Sequence, residues 1–467
     1  MSRLRDFTTK RFWREILGQG WVDRMGPRAF ALAAALALVA LYLYGAWRHG
    51  DYVNTTWDTK DQSPYLRQAK DWAEGLRPND GARGPGYFAL CSLIWSKGLS
   101  KGEFFARAKD FNVWLSLGGL AILAVAFRLA LSRVTAIVLT IVVAFTCVLF
   151  YAPYVKAEAL YYAIFAASFV LGNVALERVS WRAALGAGAL LGVAHLLKPA
   201  TLPLVATFTL ATVAAVAAEA LLRKHTARPS HSLARRVACL SVFLGSFATV
   251  TSPYLAQNAQ RFGHSTYNVN TSFYIYYDNW GEVQHGTAGH GDRQGWPDLA
   301  PKDIPSWSWY RKTHPWSEIR ARLEKGVTKD LENASEAWGF LRYACIGVFL
   351  LVLAVAVTKR PVLRAVLRSP GPLVFSATTI VGLGVGCVWF YSVHPGLRFM
   401  LIVYPLVLFA AAYGIEHLAC ASQGLTGYLR KLPAPRLWLP LSFGLMLVYD
   451  IPAIVIQLVT TQVSAGW

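Results

Sequence analysis

A series of long apolar segments with almost no charge constrains this chain more than any other feature. A helix needs about 20 mostly apolar residues to cross the hydrocarbon core of a membrane, where its backbone polar groups must pair internally. Eleven segments of the 467-residue chain qualify as candidate spans: 29–47, 111–129, 134–151, 157–176, 182–198, 202–221, 237–254, 343–357, 372–391, 399–415 and 437–458. The sequence therefore predicts an all-α polytopic membrane protein.

The charge distribution predicts how these spans are oriented. The chain carries 46 Lys and Arg against 26 Asp and Glu, a net charge of +20, which in a soluble protein would suggest nucleic-acid binding. Lys and Arg accumulate in short cytoplasmic loops. The N-terminal segment and every second loop together hold 23 basic residues but only six acidic ones. We therefore expect a cytoplasmic N-terminus and no nucleic-acid partner.

The polar residues outside the spans lie mostly in two segments on the predicted outer side. We divide the chain into a cytoplasmic N-terminal segment, 1–28, a transmembrane catalytic core, 29–254, with a first outer loop at 48–110, a second outer loop, 255–342, and C-terminal transmembrane helices, 343–467. The predicted cytoplasmic loops are short, so we expect the function on the outer face. Within the first loop, the apolar run Tyr87–Trp95 is too short to span and predicts an interfacial amphipathic helix.

Four ionisable residues lie at span ends on the predicted outer side. Asp61 follows the first span, Glu158 opens the fourth, Lys198 ends the fifth and Arg398 enters the tenth. Charged residues at membrane depth are costly and are functional candidates for that reason. The alternative is that Lys198 and Arg398 reach toward lipid headgroups and that Glu158 forms an ion pair with Lys156 or Lys198.

These side chains suit glycosyl transfer from a donor that is held in the membrane by a polyprenyl phosphate. Lys198 and Arg398 would neutralise the departing phosphate. A carboxylate, Asp61 or Glu158, would take the proton of an acceptor hydroxyl as the sugar passes through an oxocarbenium-like state, with inversion. Mg²⁺ or Mn²⁺ held by Asp61 and Glu158 would also stabilise the leaving group, although the two cations can do so alone.

At these residues the chain resembles the C-type glycosyltransferases (GT-C), in particular the bacterial branch related to the protein O-mannosyltransferases and the aminoarabinose lipid A transferases. The similar elements, in chain order, are Asp61 with Tyr65 and Glu74-Gly75, Arg83-Gly-Pro85-Gly86-Tyr87, Ala157-Glu158-Ala-Leu160, Lys198-Pro199, and Arg398-Phe399 with Tyr404-Pro405. Two departures are that no second acidic residue directly follows Asp61 and that Phe399 replaces the late tyrosine.

The resemblance implies a GT-C-like bundle with two large extracytoplasmic loops and a periplasmic active site in the bacterial inner membrane. It implies an inverting hexosyl or pentosyl transferase whose acceptor is a lipid, glycan or protein. Asp61 inherits the base or metal-associated acid role and Glu158 the second acidic position. The remaining predicted site residues are Lys198, Arg398 and Arg83 for the donor phosphate and Tyr65, Tyr87 and His394 for substrate positioning.

Two other functions stay open from the sequence. A secondary transporter or flippase would also have many spans with buried charges, but no internal repeat relates the two halves of the chain and transport does not explain two large outer loops. An O-antigen ligase or polymerase would also act on polyprenyl-linked glycans, with a pyrophosphate in place of a single phosphate.

Overall fold

A computed structural model describes residues 27–52, 54–57, 62–222, 233–285, 305–336, 339–358, 370–393, 396–421 and 435–460. Within these ranges the chain is helical and has no β-strand. The α-helices are α1 Pro27–Tyr52, α2 Gln62–Ala73, α3 Pro85–Ser92, α4 Lys101–Ala130, α5 Arg133–Val143, α6 Glu158–Arg178, α7 Trp181–Leu197, α8 Leu202–Leu222, α9 Leu233–Phe262, α10 Val269–Ser272, α11 Trp280–His285, α12 Trp307–Thr313, α13 Trp316–Glu336, α14 Phe340–Thr358, α15 Pro370–Phe390, α16 Tyr404–Ala421 and α17 Trp438–Thr460. A π-helical turn, Ala144–Val148, continues α5, and a 3₁₀ segment, Leu397–Ile402, precedes α16.

Each of the eleven predicted spans coincides with an apolar helix. Eight helices are long and apolar enough to cross a membrane: Ala29–Tyr52, Lys101–Ala130, Glu158–Arg178, Leu202–Ala220, Leu233–Phe262, Pro370–Phe390, Arg398–Leu418 and Trp438–Thr460. Three others are shorter: Arg133–Val148, Trp181–Leu197 and Leu341–Val357. The chain is therefore a multi-pass membrane protein. Of the predicted N-terminal segment, residues 1–26 lie outside the described residues.

Helix α4 begins ten residues before the span predicted at 111–129. Ser100 caps it, because its hydroxyl accepts from the Glu103 backbone N–H while the Glu103 carboxylate accepts from the Ser100 backbone N–H at 2.8 Å. This reciprocal arrangement satisfies two donors that a helix N-terminus leaves unpaired. The polar segment ahead of the span is thus helical, and it carries Asn112 toward the interior.

Helix α6 is the central helix of the bundle. Almost all of its residues are buried, including Glu158 at its first position. It packs against α4, α7 and α15, and its buried polar side chains bond to neighbouring helices: the Ser168 hydroxyl donates to the Ala187 carbonyl and the Ser376 hydroxyl to the Asn173 amide oxygen. A helix that is apolar on all sides is typical of the core of a bundle. Glu158 is therefore surrounded by protein.

Helices α7 and α9 approach closely through two glycines spaced four residues apart. A Cβ atom at Gly188 would overlap the Phe243 carbonyl oxygen and the Ser246 hydroxyl, and one at Gly192 would lie 2.7 Å from the Val250 side chain. Small residues at this spacing allow backbones to pack together in membranes. The end of α7, which carries Lys198, is fixed by this contact.

Helix α3 forms from most of the run Tyr87–Trp95, and one face of it packs on the core of the protein, while its placement along the interface stays a prediction. Tyr87, Phe88 and Cys91 are all buried in the main core. Gly84 makes this possible, because a Cβ atom there would overlap the Leu196 carbonyl oxygen at the end of α7. The first outer loop therefore packs directly on the end of the helix that precedes Lys198.

The second outer loop is anchored to the bundle by a network around Arg322. Its guanidinium donates to the Asp278 carboxylate at 2.7 Å, to the Tyr310 hydroxyl at 2.9 Å and to the Trp389 carbonyl at 3.1 Å. His314 also bonds to Asp278, at 2.8 Å. The network joins the 278 region, α12 and α13 to the end of α15.

We predict that Gly188→Ala lowers the free energy of unfolding by about 1–3 kcal/mol, because its methyl group meets backbone atoms of α9 that cannot move independently. Thermal unfolding in detergent checks this. Gly245→Ala is the matched control, since no atom lies within 4 Å of a Cβ at Gly245. Equal melting temperatures for the two variants would show that α7 and α9 do not pack this closely.

Candidate active site

Three positively charged side chains surround one buried carboxylate at the start of α6. The Lys198 ammonium lies 2.9 Å from a Glu158 carboxylate oxygen, and Glu158 is only 3% exposed. Arg398 and Lys156 also interact electrostatically with Glu158. We name Glu158, Lys198, Arg398 and Lys156 the charged cluster. With three positive groups and one negative group it has an excess of positive charge.

Lys198 reaches Glu158 because α7 ends one residue earlier. Lys198 is the C-cap residue of α7, with an extended backbone, and the proline that follows it disfavours further helix. Its ammonium lies 5.9 Å from the centre of the Tyr161 ring and 5.6 Å from that of Phe399. Aromatic faces attract cations at these distances. The side chain is held between α6 and the 3₁₀ segment.

Arg398 is held beside Glu158 by hydrogen bonds to the backbone around it. Gly396, which caps the 3₁₀ segment, has a φ of 152°, a conformation that favours glycine. The Tyr162 hydroxyl, one helical turn after Glu158, donates to the Arg398 carbonyl at 2.5 Å. The Cys387 thiol donates to the Phe399 carbonyl at 3.2 Å. Helices α6 and α15 therefore fix this segment from two sides.

Three amide side chains hold the segment that leads into Glu158. The Asn112 amide donates to the Ala152 and Tyr154 carbonyls, at 2.9 and 2.6 Å. The Gln62 amide oxygen accepts from the Val155 N–H at 2.9 Å, and the Asn54 amide donates to the Pro153 carbonyl at 3.1 Å. Lys156 lies on this segment and is 8% exposed. Its position thus depends on polar groups from α4 and the first outer loop.

A second network in the first outer loop adjoins the charged cluster. Asp80 accepts from Arg83 at 2.6 Å and from the Gln68 amide at 2.7 Å. The Arg83 guanidinium lies 5.6 Å from the Tyr65 ring, whose centre is 5.0 Å from that of Tyr87. Arg83 is therefore compensated by Asp80 within its own loop.

The Tyr87 hydroxyl connects this network to the core. It donates to the Asn112 amide oxygen at 3.0 Å, and Tyr87 also interacts electrostatically with Glu158. The same Asn112 side chain binds the segment before Glu158. The Asn112 amide is thus one of the links between the first outer loop and the charged cluster.

Burial raises the pKa of the Asp80 carboxyl, but the Arg83 guanidinium and the backbone N–H groups of Ala82 and Arg83 lower it more, so that the pKa lies below its ordinary value. Both N–H groups donate to the carboxylate at 2.9 Å. Hydrogen bonds to an ionised carboxylate favour its charged form. Asp80 is therefore the acceptor that organises the turn before α3.

The structure brings together three of the predicted site residues, Glu158, Lys198 and Arg398. The ion pair between Glu158 and Lys198, which we considered as an alternative, is present within the same cluster. Tyr65, Tyr87 and Arg83 lie in the adjoining network. Asp61 and His394 lie outside the described residues.

The sequence did not single out Asn112 or Tyr162. Asn112 is a polar residue at the start of a predicted span, which is a signal that could have identified it. Tyr162 follows Glu158 by one helical turn. Its hydroxyl binds the backbone carbonyl of Arg398, which is far away in the sequence. Nothing in the pattern around Tyr162 indicates that contact.

The described residues do not form a metal site. Among them, no group of three or more His, Cys, Asp or Glu side chains lies together. Glu158 has cationic neighbours, which disfavour a divalent cation beside it. Binding of Mg²⁺ or Mn²⁺ by Asp61 and Glu158 stays a prediction, since Asp61 is outside the described residues.

Comparisons with known proteins show what this architecture is similar to. No protein-family profile and no curated protein sequence matches the chain. The apo structure of the Archaeoglobus fulgidus oligosaccharyltransferase matches with a TM-score of 0.52 and 13% identity, over 91% of this chain and 56% of that one. The same enzyme tethered to an acceptor peptide gives a TM-score of 0.44 at 11% identity, over 91% and 55% of the two chains.

The likeness to the oligosaccharyltransferase identifies the class of fold. This chain is a GT-C-like helical membrane protein, as the sequence predicted. It spans a little over half the length of the archaeal enzyme. The identity is low, so the match establishes the fold alone.

We predict that Asp80→Asn lowers the free energy of unfolding by about 2 kcal/mol at pH 7, because charge-assisted hydrogen bonds are lost. Asp80 has a native pKa below its ordinary value of 3.8, so its contribution is present above about pH 4 and is lost as the pH falls further. Unfolding of both proteins in detergent between pH 3 and 7 checks this. Asp71→Asn is the control, and equal stabilities at pH 7 would contradict the prediction.

Proposed function

We propose that this protein is a GT-C-type glycosyltransferase that moves a sugar from a polyprenyl-phosphate-linked donor to an acceptor on the outer side of the membrane. The observation that carries the proposal is the charged cluster, in which Lys156, Lys198 and Arg398 converge on the buried Glu158. Cations in a site of low dielectric bind phosphate strongly. The cluster lies at the ends of apolar helices, where a membrane-held phosphate would be presented.

The net charge of the cluster favours the departing phosphate over the bound donor. A sugar phosphodiester carries one negative charge, whereas the phosphate monoester that leaves carries about −2. Three cations and one carboxylate complement the charge of the phosphate monoester better than that of the phosphodiester. Interactions that strengthen as charge develops on the leaving group lower the barrier. Lys198 and Arg398 would make these interactions.

In the proposed reaction, the acceptor hydroxyl attacks the anomeric carbon opposite the phosphate. The bond between that carbon and the phosphate oxygen breaks, and its electron pair stays on the phosphate, so the sugar is transferred with inversion. A carboxylate, Asp61 or Glu158, takes the hydroxyl proton. Glu158 also holds Lys198 in place, and its second carboxylate oxygen is buried without a hydrogen-bond partner among the described residues.

The shared fold supports the proposal. The Archaeoglobus fulgidus oligosaccharyltransferase has been solved with an acceptor peptide and, separately, with an inhibitory peptide and a dolichol-phosphate. A polyprenyl-phosphate donor and a lipid, glycan or protein acceptor follow for this chain by analogy. The transfer of a hexose or pentose, the closer relation to the O-mannosyltransferases and aminoarabinose transferases, and the placement in a bacterial inner membrane with a periplasmic site are part of the proposal.

We expect detergent-solubilised protein to consume a radiolabelled polyprenyl-phosphate sugar from a panel that includes mannose, glucose and aminoarabinose donors. Lys198→Gln and Arg398→Gln should each reduce turnover by about 10²–10³, since each removes charge that stabilises the leaving group. Lys97→Gln, at an exposed position in the first outer loop, is the matched control. Full turnover in Arg398→Gln would contradict phosphate binding by the cluster.

The same assay separates the alternative functions. A transporter or flippase requires a sealed vesicle, so consumption of the donor in detergent contradicts transport alone. An O-antigen ligase or polymerase would use a pyrophosphate-linked donor in preference to a monophosphate-linked one.

We further expect Asp61→Asn to abolish transfer while expression and thermal unfolding stay unchanged, as the resemblance to the GT-C enzymes implies for this acid. Turnover of the labelled donor at saturating acceptor is the measurement, with Asp58→Asn as control. Near-normal turnover in Asp61→Asn would remove this residue from the mechanism and leave Glu158 as the remaining candidate base.

A further inference from the structure

A cavity opens between the end of α1 and the first half of α4, beside the segment that leads into the charged cluster. Its volume is about 370 Å³. The floor includes Ala46, Val113 and Pro153, which are buried, and the walls include Trp47 and Trp114. Small-molecule sites have volumes from about 300 Å³ upward and are lined mainly by apolar and aromatic side chains with a few polar groups. The cavity therefore has the size and lining of a binding site.

The two tryptophans lie at the mouth of the cavity. Trp47 is 40% exposed and Trp114 is 53% exposed, and the centres of their rings are 6.1 Å apart at an interplanar angle of 70°. Tryptophan is enriched where a membrane meets water, so an interfacial anchor is the alternative role for these rings. An anchor requires no cavity, whereas these two rings flank one.

Charged side chains line the rest of the cavity, namely Asp51, Lys109 and Asp110. The Asp51 carboxylate accepts from Arg48 at 3.0 Å, and its side chain is 61% exposed. The Lys109 ammonium donates to the Gly50 carbonyl at 2.7 Å and interacts electrostatically with both carboxylates. Two carboxylates and two cations have no net charge, so these groups suit an uncharged ligand that donates hydrogen bonds.

The floor of the cavity belongs to the segment that precedes Glu158. A Cβ atom at Gly50 would lie 3.0 Å from the Pro153 side chain, so the end of α1 packs directly on this residue. The Asn54 amide also holds Pro153, by donating to its carbonyl at 3.1 Å. Glu158 follows Pro153 by five residues. The cavity and the charged cluster therefore lie at the same end of the bundle.

We propose that this cavity binds the sugar headgroup of an uncharged glycolipid. One face of a pyranose ring consists of C–H groups, which pack on the faces of aromatic rings such as those of Trp47 and Trp114. The sugar hydroxyls would donate to the carboxylates of Asp51 and Asp110, which only accept hydrogen bonds when ionised. The site is separate from the charged cluster and does not require the proposed glycosyl transfer.

The two helices that border the cavity favour a glycolipid over a soluble sugar. Both α1 and α4 are long and apolar enough to cross a membrane. Beyond the tryptophans, their exposed side chains include Leu36 and Val39 on α1 and Ile122 and Val125 on α4. A lipid whose headgroup occupies the cavity would lay its acyl chains along these apolar side chains.

Native mass spectrometry of the protein in nanodiscs tests the proposal. The discs contain phosphatidylcholine with an increasing fraction of monoglucosyl or monogalactosyl diacylglycerol, and the glycolipid bound per protein gives an apparent affinity. We expect Trp114→Leu to lower this affinity about fivefold, because a ring contact is lost. Asp110→Asn should lower it about tenfold, because a charge-assisted hydrogen bond is lost. Trp181→Leu is the matched control, since Trp181 is 54% exposed and begins α7 at the end opposite Lys198.

Thermal unfolding in discs of phosphatidylcholine alone separates loss of binding from loss of fold. Trp114 and Asp110 are exposed, so both variants should melt with the native protein. Equal glycolipid affinity in the native protein and the two variants, or no glycolipid binding at all, overturns the proposal. An equal loss in Trp114→Leu and Trp181→Leu would show interfacial anchoring only, and methyl glucoside that binds as tightly as the glycolipid would show a site for soluble sugars. Since no sugar donor is present, absence of glycosyl transfer would not change the outcome.

Discussion

The charge of Glu158 is the constraint on which the rest of this structure depends. A carboxylate at the start of the most buried helix cannot be solvated by water, so the protein must supply its counter-charges. Lys156, two residues earlier, supplies one of them, and Lys198 and Arg398 supply the others from parts of the chain that are distant in sequence. A carboxylate in the first turn of a helix is also favoured by the helix dipole.

Neutral groups position the charged ones. Asn112 and Gln62 bind the backbone before Glu158, and Tyr162 binds the backbone of Arg398. Because these bonds are made to main-chain atoms, they fix where each charged residue lies without adding charge to the cluster. Such support keeps reactive side chains in a defined geometry.

The transmembrane helices and the convergence of the charges could be predicted from the sequence because both follow from topology. The length of each apolar segment defines a helix. Successive spans cross the membrane in opposite directions, so the ends at which Glu158, Lys198 and Arg398 lie are predicted to share one side of the membrane. The close contacts could not be predicted, because Gly84 and Gly188 matter only through atoms of helices that are distant in the sequence. The burial of Asp330 could not be predicted for a further reason. The buried face of α13 contains both Arg322 and Asp330, so the spacing of hydrophobic residues does not identify that face.

Two buried carboxylates of this fold have different surroundings, one in the core and one in the second outer loop. Three cations interact with Glu158, whereas the Oδ2 atom of Asp330 has no hydrogen-bond partner among the described residues. A phosphate at the charged cluster would add negative charge beside the cations, so a bound donor would stabilise the folded protein.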